Sequence, residues 1–173
     1  MNAVHQRQHG VSLVEALAVI AVAALLAAGA APAYTQLVQE NRLSSQANAL
    51  LATLQYARNE AVTRGGHVTV CAGSGACLAT SDWAQGWMAF ADGDGDGILD
   101  PGEQMLHSWP AVHASHTLQK GKKVRVRFDA QGFAAGYNDT FRLCDPRGVA
   151  YARSVIVSNQ GRVRVAKGAG SCP

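Results

Sequence analysis

The chain opens with ten mostly polar residues and continues as a long apolar run. Residues 11–31 contain two polar side chains, Ser12 and Glu15. As a helix rising about 1.5 Å per residue, this run spans roughly 30 Å, the thickness of the hydrocarbon core of a bilayer. It therefore predicts a membrane-spanning helix. Three explanations compete: a secretory signal cleaved near residues 28–33, a plain single-span anchor, and a segment in which the carboxylate has a role.

A second apolar pattern follows Pro32, with a spacing of three and four residues. Its positions are Tyr34, Leu37, Val38, Ala47, Leu50, Leu51, Leu54, Ala57 and Ala61. Such a pattern forms one face of an amphipathic helix. The basic Arg64 and the glycines at 65 and 66 provide a last turn and a stop. The two patterns together predict one helix of about 50 residues, whose second half packs on another layer.

The rest of the chain has the pattern of short β-strands separated by glycine-rich turns. Strands are predicted at 67–71, 87–90, 124–128, 140–143, 154–157 and 162–165, and residues 105–109 also have a strand pattern. The fold class is therefore α+β, a long N-terminal helix laid on a small antiparallel sheet.

The N-terminus resembles the processing site of type IV prepilins, through the sequence His9-Gly10-Val11-Ser12-Leu13-Val14-Glu15. A carboxylate near the centre of a membrane helix costs about 2.5–3.5 kcal/mol, which a signal peptide or a plain anchor leaves unexplained. The resemblance implies that a prepilin peptidase cuts after Gly10, that Val11 is methylated, and that Glu15 pairs with a neighbouring subunit's N-terminal amine in a filament. It implies a leader (1–10), a transmembrane and filament-core helix (11–38) and a head domain (39–173).

Further motifs narrow this resemblance. They are Tyr56-Ala-Arg58-Asn-Glu60-Ala61-Val62, Val68-Thr-Val70-Cys71, Trp83-Ala-Gln-Gly86-Trp87-Met-Ala-Phe90 with the Asp/Gly-rich loop after it, and Gly161-Arg162-Val163-Arg164. In this order and spacing they resemble the FimT/GspH family of minor pilins and pseudopilins. The resemblance implies the type IV pilin fold.

The cysteines indicate an oxidising compartment, because the chain is small and carries an apolar N-terminal segment. Four cysteines allow three pairings, and proximity in sequence favours Cys71 with Cys77 and Cys144 with Cys172. The spacing is not that of a metal or redox motif.

The loop of residues 92–103 matches the calcium-binding loop of EF-hands. The predicted ligands are Asp92, Asp94, Asp96, the Ile98 carbonyl, Asp100 and Glu103. However, strand patterns rather than helices flank the loop, so an ion-free acidic turn is the alternative. If calcium binds, we expect a structural role, and no cofactor is required for function.

Catalytic chemistry has no sequence support. His107, His113 and His116 lack accompanying ligands at zinc spacing and are predicted to be exposed loop residues. The chain contains neither a nucleophile elbow nor a phosphate-cradling loop. We therefore expect a protein that is not an enzyme.

Charge is distributed unevenly along the chain. Residues 1–110 contain 4 Lys and Arg against 9 Asp and Glu, whereas residues 111–173 contain 11 against 3. Strict alternation in 124–128 and 162–165 predicts that the arginines lie on the solvent face of a sheet. Such a face suits phosphate, although an ordinary solvated face is the alternative. The predicted DNA-binding residues are Gly161, Arg162, Arg164, Arg125, Arg127, Lys122, Lys123 and Lys167.

The resemblance adds to this prediction, because a C-terminal G-R-x-R motif binds DNA in FimT-like minor pilins. It corresponds here to residues 161–164. We expect a minor type IV pilin that binds extracellular DNA without sequence preference, for uptake in natural transformation. The alternatives are a pseudopilin at the tip of a type II secretion system and a minor pilin that primes pilus assembly.

The expected partners follow from the same resemblance. They are DNA, other pilins of the filament, the prepilin peptidase and the inner membrane through residues 11–31. Before assembly we expect a single-pass inner-membrane protein with a periplasmic head. After assembly we expect it in the pilus filament or at its tip.

Overall fold

The computed structural model describes residues 12–168, 171 and 172. These residues form one helix followed by strands, which are α1 (Leu13–Arg64), β1 (Val68–Ala72), β2 (Trp87–Ala91), β3 (Met105–Trp109), β4 (Thr117–Lys120), β5 (Arg125–Phe128), β6 (Asp139–Cys144), β7 (Arg153–Val157) and β8 (Val163–Lys167). This order confirms the α+β prediction. The described residues divide into two compact units, one up to Val38 and one from Gln39 onward.

The first unit is the apolar part of helix α1. The helix is long and apolar enough to cross a membrane, with a mean hydropathy of 2.4 in its most apolar window. Pro32 lies inside the helix, and its carbonyl accepts a hydrogen bond of 2.9 Å from Thr35 Oγ1. Glu15 is exposed in the first turn, whereas Gly10 and Val11 lie outside the described residues.

The second unit contains two four-stranded sheets rather than the single sheet that the sequence predicts. The first has the order β3-β2-β1-β5 and the second the order β4-β6-β7-β8, and all pairs are antiparallel. Side chains from α1 and from the inner faces of both sheets form one buried core. The helical members are Leu43, Ala47, Leu50, Leu54, Ala57 and Ala61. Burial of this apolar face stabilises the second half of the helix.

The end of α1 follows the predicted glycine stop. Gly65 has a φ of +64°, and the Gly66 N–H donates to the Ala61 carbonyl at 3.2 Å. This is the Schellman arrangement, in which a left-handed residue lets the chain satisfy the last helical carbonyls. The chain can therefore leave the helix directly into β1.

Both predicted disulfides form. Cys71 pairs with Cys77, and Cys144 pairs with Cys172. The second bond ties a C-terminal residue to the end of β6.

The prediction of three exposed loop histidines is wrong for His116, which is buried. Its Nδ1 lies in hydrogen-bond contact with Gln46 Oε1 of helix α1, and its ring lies 5.2 Å from that of His113. Burial, reinforced by the neighbouring His113, lowers the pKa of His116. His107 is exposed but lies on β3 rather than in a loop.

Candidate nucleic-acid interface

The tight turn between β7 and β8 positions the Gly-Arg-Val-Arg motif. Val163 and Val165 pack against the core, and Arg162 and Arg164 are exposed. This confirms the alternation predicted from the sequence. Within the described part of the chain, neither arginine side chain forms a hydrogen bond or an ion pair. Their full charge is thus presented to solvent.

Gly161 has a structural reason to be glycine. Its φ is +74°, and an added Cβ would collide with the Gly132 carbonyl oxygen. The same oxygen accepts a hydrogen bond of 3.0 Å from Arg58 Nε. Only a residue without a side chain allows these three groups to meet, so Gly161 sets the position of Arg162.

Lys122 and Lys123 are held beside the first residue of β6. Their backbone N–H groups donate to Asp139 Oδ2 at 2.8 and 2.9 Å, while their side chains are exposed. Asp139 Oδ2 also accepts a hydrogen bond of 2.9 Å from the buried Nζ of Lys120. Burial would raise the pKa of Asp139, but these hydrogen bonds hold it below its usual range. The carboxylate is therefore a charged anchor for the two lysines.

These cations share one end of the second sheet. Asp139 is the register partner of Val157, which in turn is the partner of Val163. Because neighbouring strands lie about 4.8 Å apart, Lys122 and Lys123 are roughly 10 Å or more from Arg162. The described cations at this end are therefore spread over the width of several strands.

Arg142 is a further cation of the second sheet, which the list of predicted DNA-binding residues does not include. It lies on β6, and its buried Nε has no hydrogen-bond partner among the described residues. Its neighbours Phe141 and Leu143 are buried, so the alternation places Arg142 on the outer face. That alternation is the sequence signal that could have identified it.

Arg125 and Arg127 do not join this surface, which changes part of the predicted site. They lie on β5 of the first sheet, where Arg125 Nη1 donates to the Asp96 carbonyl at 2.8 Å and Arg127 Nη1 donates to the Gly95 carbonyl. The Arg127 guanidinium also lies 5.3 Å from the Tyr137 ring centre. Lys167 is exposed, with Nζ 3.6 Å from Glu40.

The acidic loop folds against these two arginines. One oxygen from each of Asp92, Asp94 and Asp96 lies within 4.8 Å of the others, so the structure brings three predicted ligands together. Asp92 is buried, and its carboxylate accepts a hydrogen bond of 2.5 Å from Thr69 Oγ1. Glu103 accepts backbone N–H groups of Gly93 and Asp100 with its two oxygens, at 2.7 and 3.1 Å. Ile98 and Asp100 are exposed.

Calcium binding by this loop stays a prediction. In 5 mM calcium a site with the affinity of extracellular modules would gain about 1–2 kcal/mol, which raises Tm by roughly 3–8 °C relative to chelator. The variant Asp96→Ala should lose this shift, whereas Asp82→Asn, an exposed acid outside the loop, should keep it. Equal melting temperatures of the wild type in calcium and in chelator would show an ion-free turn held by Arg125 and Arg127.

Solved structures of two pilin-like proteins resemble this chain. The type IV minor pilin FimU of Pseudomonas aeruginosa is 25% identical with a TM-score of 0.60, and the match covers 79% of this chain and 96% of that chain. A second crystal form of FimU matches at 24% identity, with a TM-score of 0.57 and coverage of 75% and 97%. The minor pseudopilin EpsH of the Vibrio cholerae type 2 secretion system matches at 11% identity, with a TM-score of 0.52 and coverage of 73% and 97%.

Family models match both parts of the sequence. The prokaryotic N-terminal methylation motif matches residues 5–31, and the family described as type II transport protein GspH matches residues 46–161. No curated protein sequence matches the chain. The methylation motif and the apolar helix indicate membrane anchoring before assembly, and these relatives are structural pilins rather than enzymes. Since the second match covers more than half of the sequence, the chain belongs to the GspH family of minor pilins and pseudopilins.

Proposed function

We propose that this minor pilin binds extracellular DNA through phosphate contacts, for uptake in natural transformation. The observation that carries the proposal is the pair Arg162 and Arg164, exposed and without an ion pair in the described part of the chain. Other described cations, such as Lys120 and Arg147, are already paired with carboxylates. Exposed guanidinium groups that lack a carboxylate partner are able to neutralise phosphates.

We restrict the proposed surface to Arg162, Arg164, Lys122 and Lys123, with Arg142 on the outer face of the same sheet. Gly161 contributes by positioning the turn, and Lys167 is close enough to Glu40 to be partly neutralised. Arg125 and Arg127 are left out because they lie on β5 of the first sheet, against the acidic loop, and therefore apart from the cations of the second sheet. Contacts of this kind carry no base information, so we expect little sequence preference.

The test is the salt dependence of duplex DNA binding by the full chain in an uncharged detergent. Each phosphate contact contributes about −0.9 to the slope of log K against log salt. The double variant Arg162→Gln/Arg164→Gln should flatten the slope by about 2 and weaken all sequences alike. The matched double variant Arg125→Gln/Arg127→Gln removes the same charge from the first sheet and should leave the slope unchanged.

Two outcomes contradict the proposal. Wild-type protein without measurable DNA affinity at low salt would overturn it directly. An Arg162→Gln/Arg164→Gln variant with wild-type affinity and an unchanged melting temperature would show that the arginines are an ordinary solvated face.

The second candidate function is a pseudopilin of a type II secretion system. The match to the family described as type II transport protein GspH favours it. A subunit of that kind binds neighbouring subunits rather than DNA, as does a minor pilin that only primes pilus assembly. In each of these roles the arginine variants would leave assembly intact and no DNA affinity would be found. The prepilin peptidase and the other filament subunits are proposed partners in all three roles.

A further inference from the structure

A cleft of about 270 Å³ separates helix α1 from the turn between β7 and β8. It is lined by Gln55, Arg58, Asn59, Gly161, Arg162 and Val163. Two of these side chains are cationic and two are carboxamides, and none of them is acidic. The composition of the wall therefore favours an anion that accepts several hydrogen bonds.

Arg58 is held in place at this cleft by a single atom of its side chain. Its Nε donates to the Gly132 carbonyl at 3.0 Å, and an added Cβ on Gly161 would lie 3.1 Å from that Nε. A guanidinium has five N–H donors. Among the described residues, the other donors of Arg58 have no hydrogen-bond partner. The group is thus fixed in direction and still able to bind a ligand.

The remaining polar side chains of the cleft, on both of its walls, are also free to bind a ligand. Arg162, Gln55 and Asn59 are exposed and form no side-chain hydrogen bond within the described residues. The nearby Glu60 pairs with Arg64 at 2.7 Å, one turn further along the helix. The positive charge of the cleft is therefore not compensated by its own wall.

We propose that this cleft binds a backbone phosphate of DNA, which extends the DNA path from the second sheet onto helix α1. This inference rests on the proposed function. Arg162 and Arg164 are two residues apart on an extended chain, about 7 Å, so they reach different phosphates. A strand that passes Arg164 and then Arg162 next meets Arg58. The path would then follow the motif around the turn rather than along the sheet.

The experiment is a charge introduced at the cleft, tested with a mixed-sequence duplex and the full chain in uncharged detergent. Asn59→Asp places a carboxylate at an exposed helical position that lines the cleft. We expect binding to weaken by about 5- to 20-fold, since a like charge faces the phosphate at a few ångström. Asn48→Asp makes the same change at an exposed position of the same helix outside the cleft, and should change affinity by less than about twofold.

A second variant tests the opposite direction. Gln55→Lys adds a cation to the wall and should tighten binding and steepen the salt slope by about 0.9. If Asn59→Asp lowers the melting temperature, its weaker binding could reflect unfolding, and Gln55→Lys then tests the phosphate site instead. A salt slope of Gln55→Lys equal to that of the wild type would overturn the proposed phosphate site in the cleft.

The outcomes separate the two proposals. Absence of DNA binding by the wild type would overturn the proposed function and the cleft together. If the wild type binds DNA and Asn59→Asp changes the affinity no more than Asn48→Asp does, only the proposed phosphate site in the cleft would be overturned. Inorganic phosphate should compete weakly at fixed ionic strength, because one phosphate lacks the flanking contacts. Displacement of DNA by low millimolar phosphate would instead assign the cleft to a free anion.

Discussion

Replacing Gly161 by alanine is expected to lower the free energy of unfolding by about 2–4 kcal/mol. The left-handed backbone contributes roughly 1–2 kcal/mol of this loss, because a Cβ is strained there. The rest arises because the new Cβ collides with the Gly132 carbonyl, which must move away from Arg58 Nε. Urea unfolding of the full chain in detergent measures the loss.

Gly136 provides a matched control for this prediction. Its φ of +77° is close to the +74° of Gly161, but nothing lies within 4 Å of an added Cβ. Gly136→Ala should therefore cost only the backbone strain, about 1–2 kcal/mol. Equal losses in the two variants would show that the contact with Gly132 does not matter. In that case Gly161 would be required only for its backbone conformation.

Much of the fold is readable from local patterns. The apolar run and the later spacing of three and four residues predict a helix that the structure gives as Leu13–Arg64, ending at the predicted glycines. Strand β4 was missed because Lys120 occupies an inward position, where alternation calls for an apolar residue. Its Nζ is buried against Asp139 and lies 5.5 Å from the Phe141 ring centre. An ion pair formed with a distant residue is invisible to periodicity.

The site was predictable only in part, because alternation gives the side of a strand and not what covers it. Arg127 and Arg164 have the same local pattern, with apolar neighbours on both sides. The first meets the acidic loop and the second meets solvent. Which strand joins which sheet depends on pairings between distant segments, such as β1 with β5. Arg58 illustrates the same limit, since its partner Gly132 lies 74 residues away.

Replacing Glu40 by glutamine is expected to lower the free energy of unfolding by about 1–3 kcal/mol at neutral pH. The Glu40 carboxylate on α1 accepts a hydrogen bond from Arg153, which is buried at the start of β7. A Glu40 carboxylate oxygen also lies 3.4 Å from Arg147 Nη2. Glutamine keeps an oxygen that can accept from Arg153 but removes the charge, and the other partners of the Arg153 guanidinium, Ser44 and the Tyr151 carbonyl, are neutral. A buried cation that loses its counter-charge is costly, although the partial exposure of Glu40 reduces the loss.

The pH dependence of this loss tests its electrostatic origin. Burial would raise the pKa of Glu40, but Arg153, Lys167 and Arg147 hold it below the ordinary 4.5. Because the carboxylate is favoured in the folded state, its contribution is present above pH 4.5 and disappears as the pH falls through the lowered value. Urea midpoints of wild type and Glu40→Gln should therefore differ at pH 7 and converge at acidic pH. Glu60→Gln, which breaks the exposed pair with Arg64, should cost less than about 0.5 kcal/mol. A gap between wild type and Glu40→Gln that stays constant with pH would assign the loss to packing instead of charge.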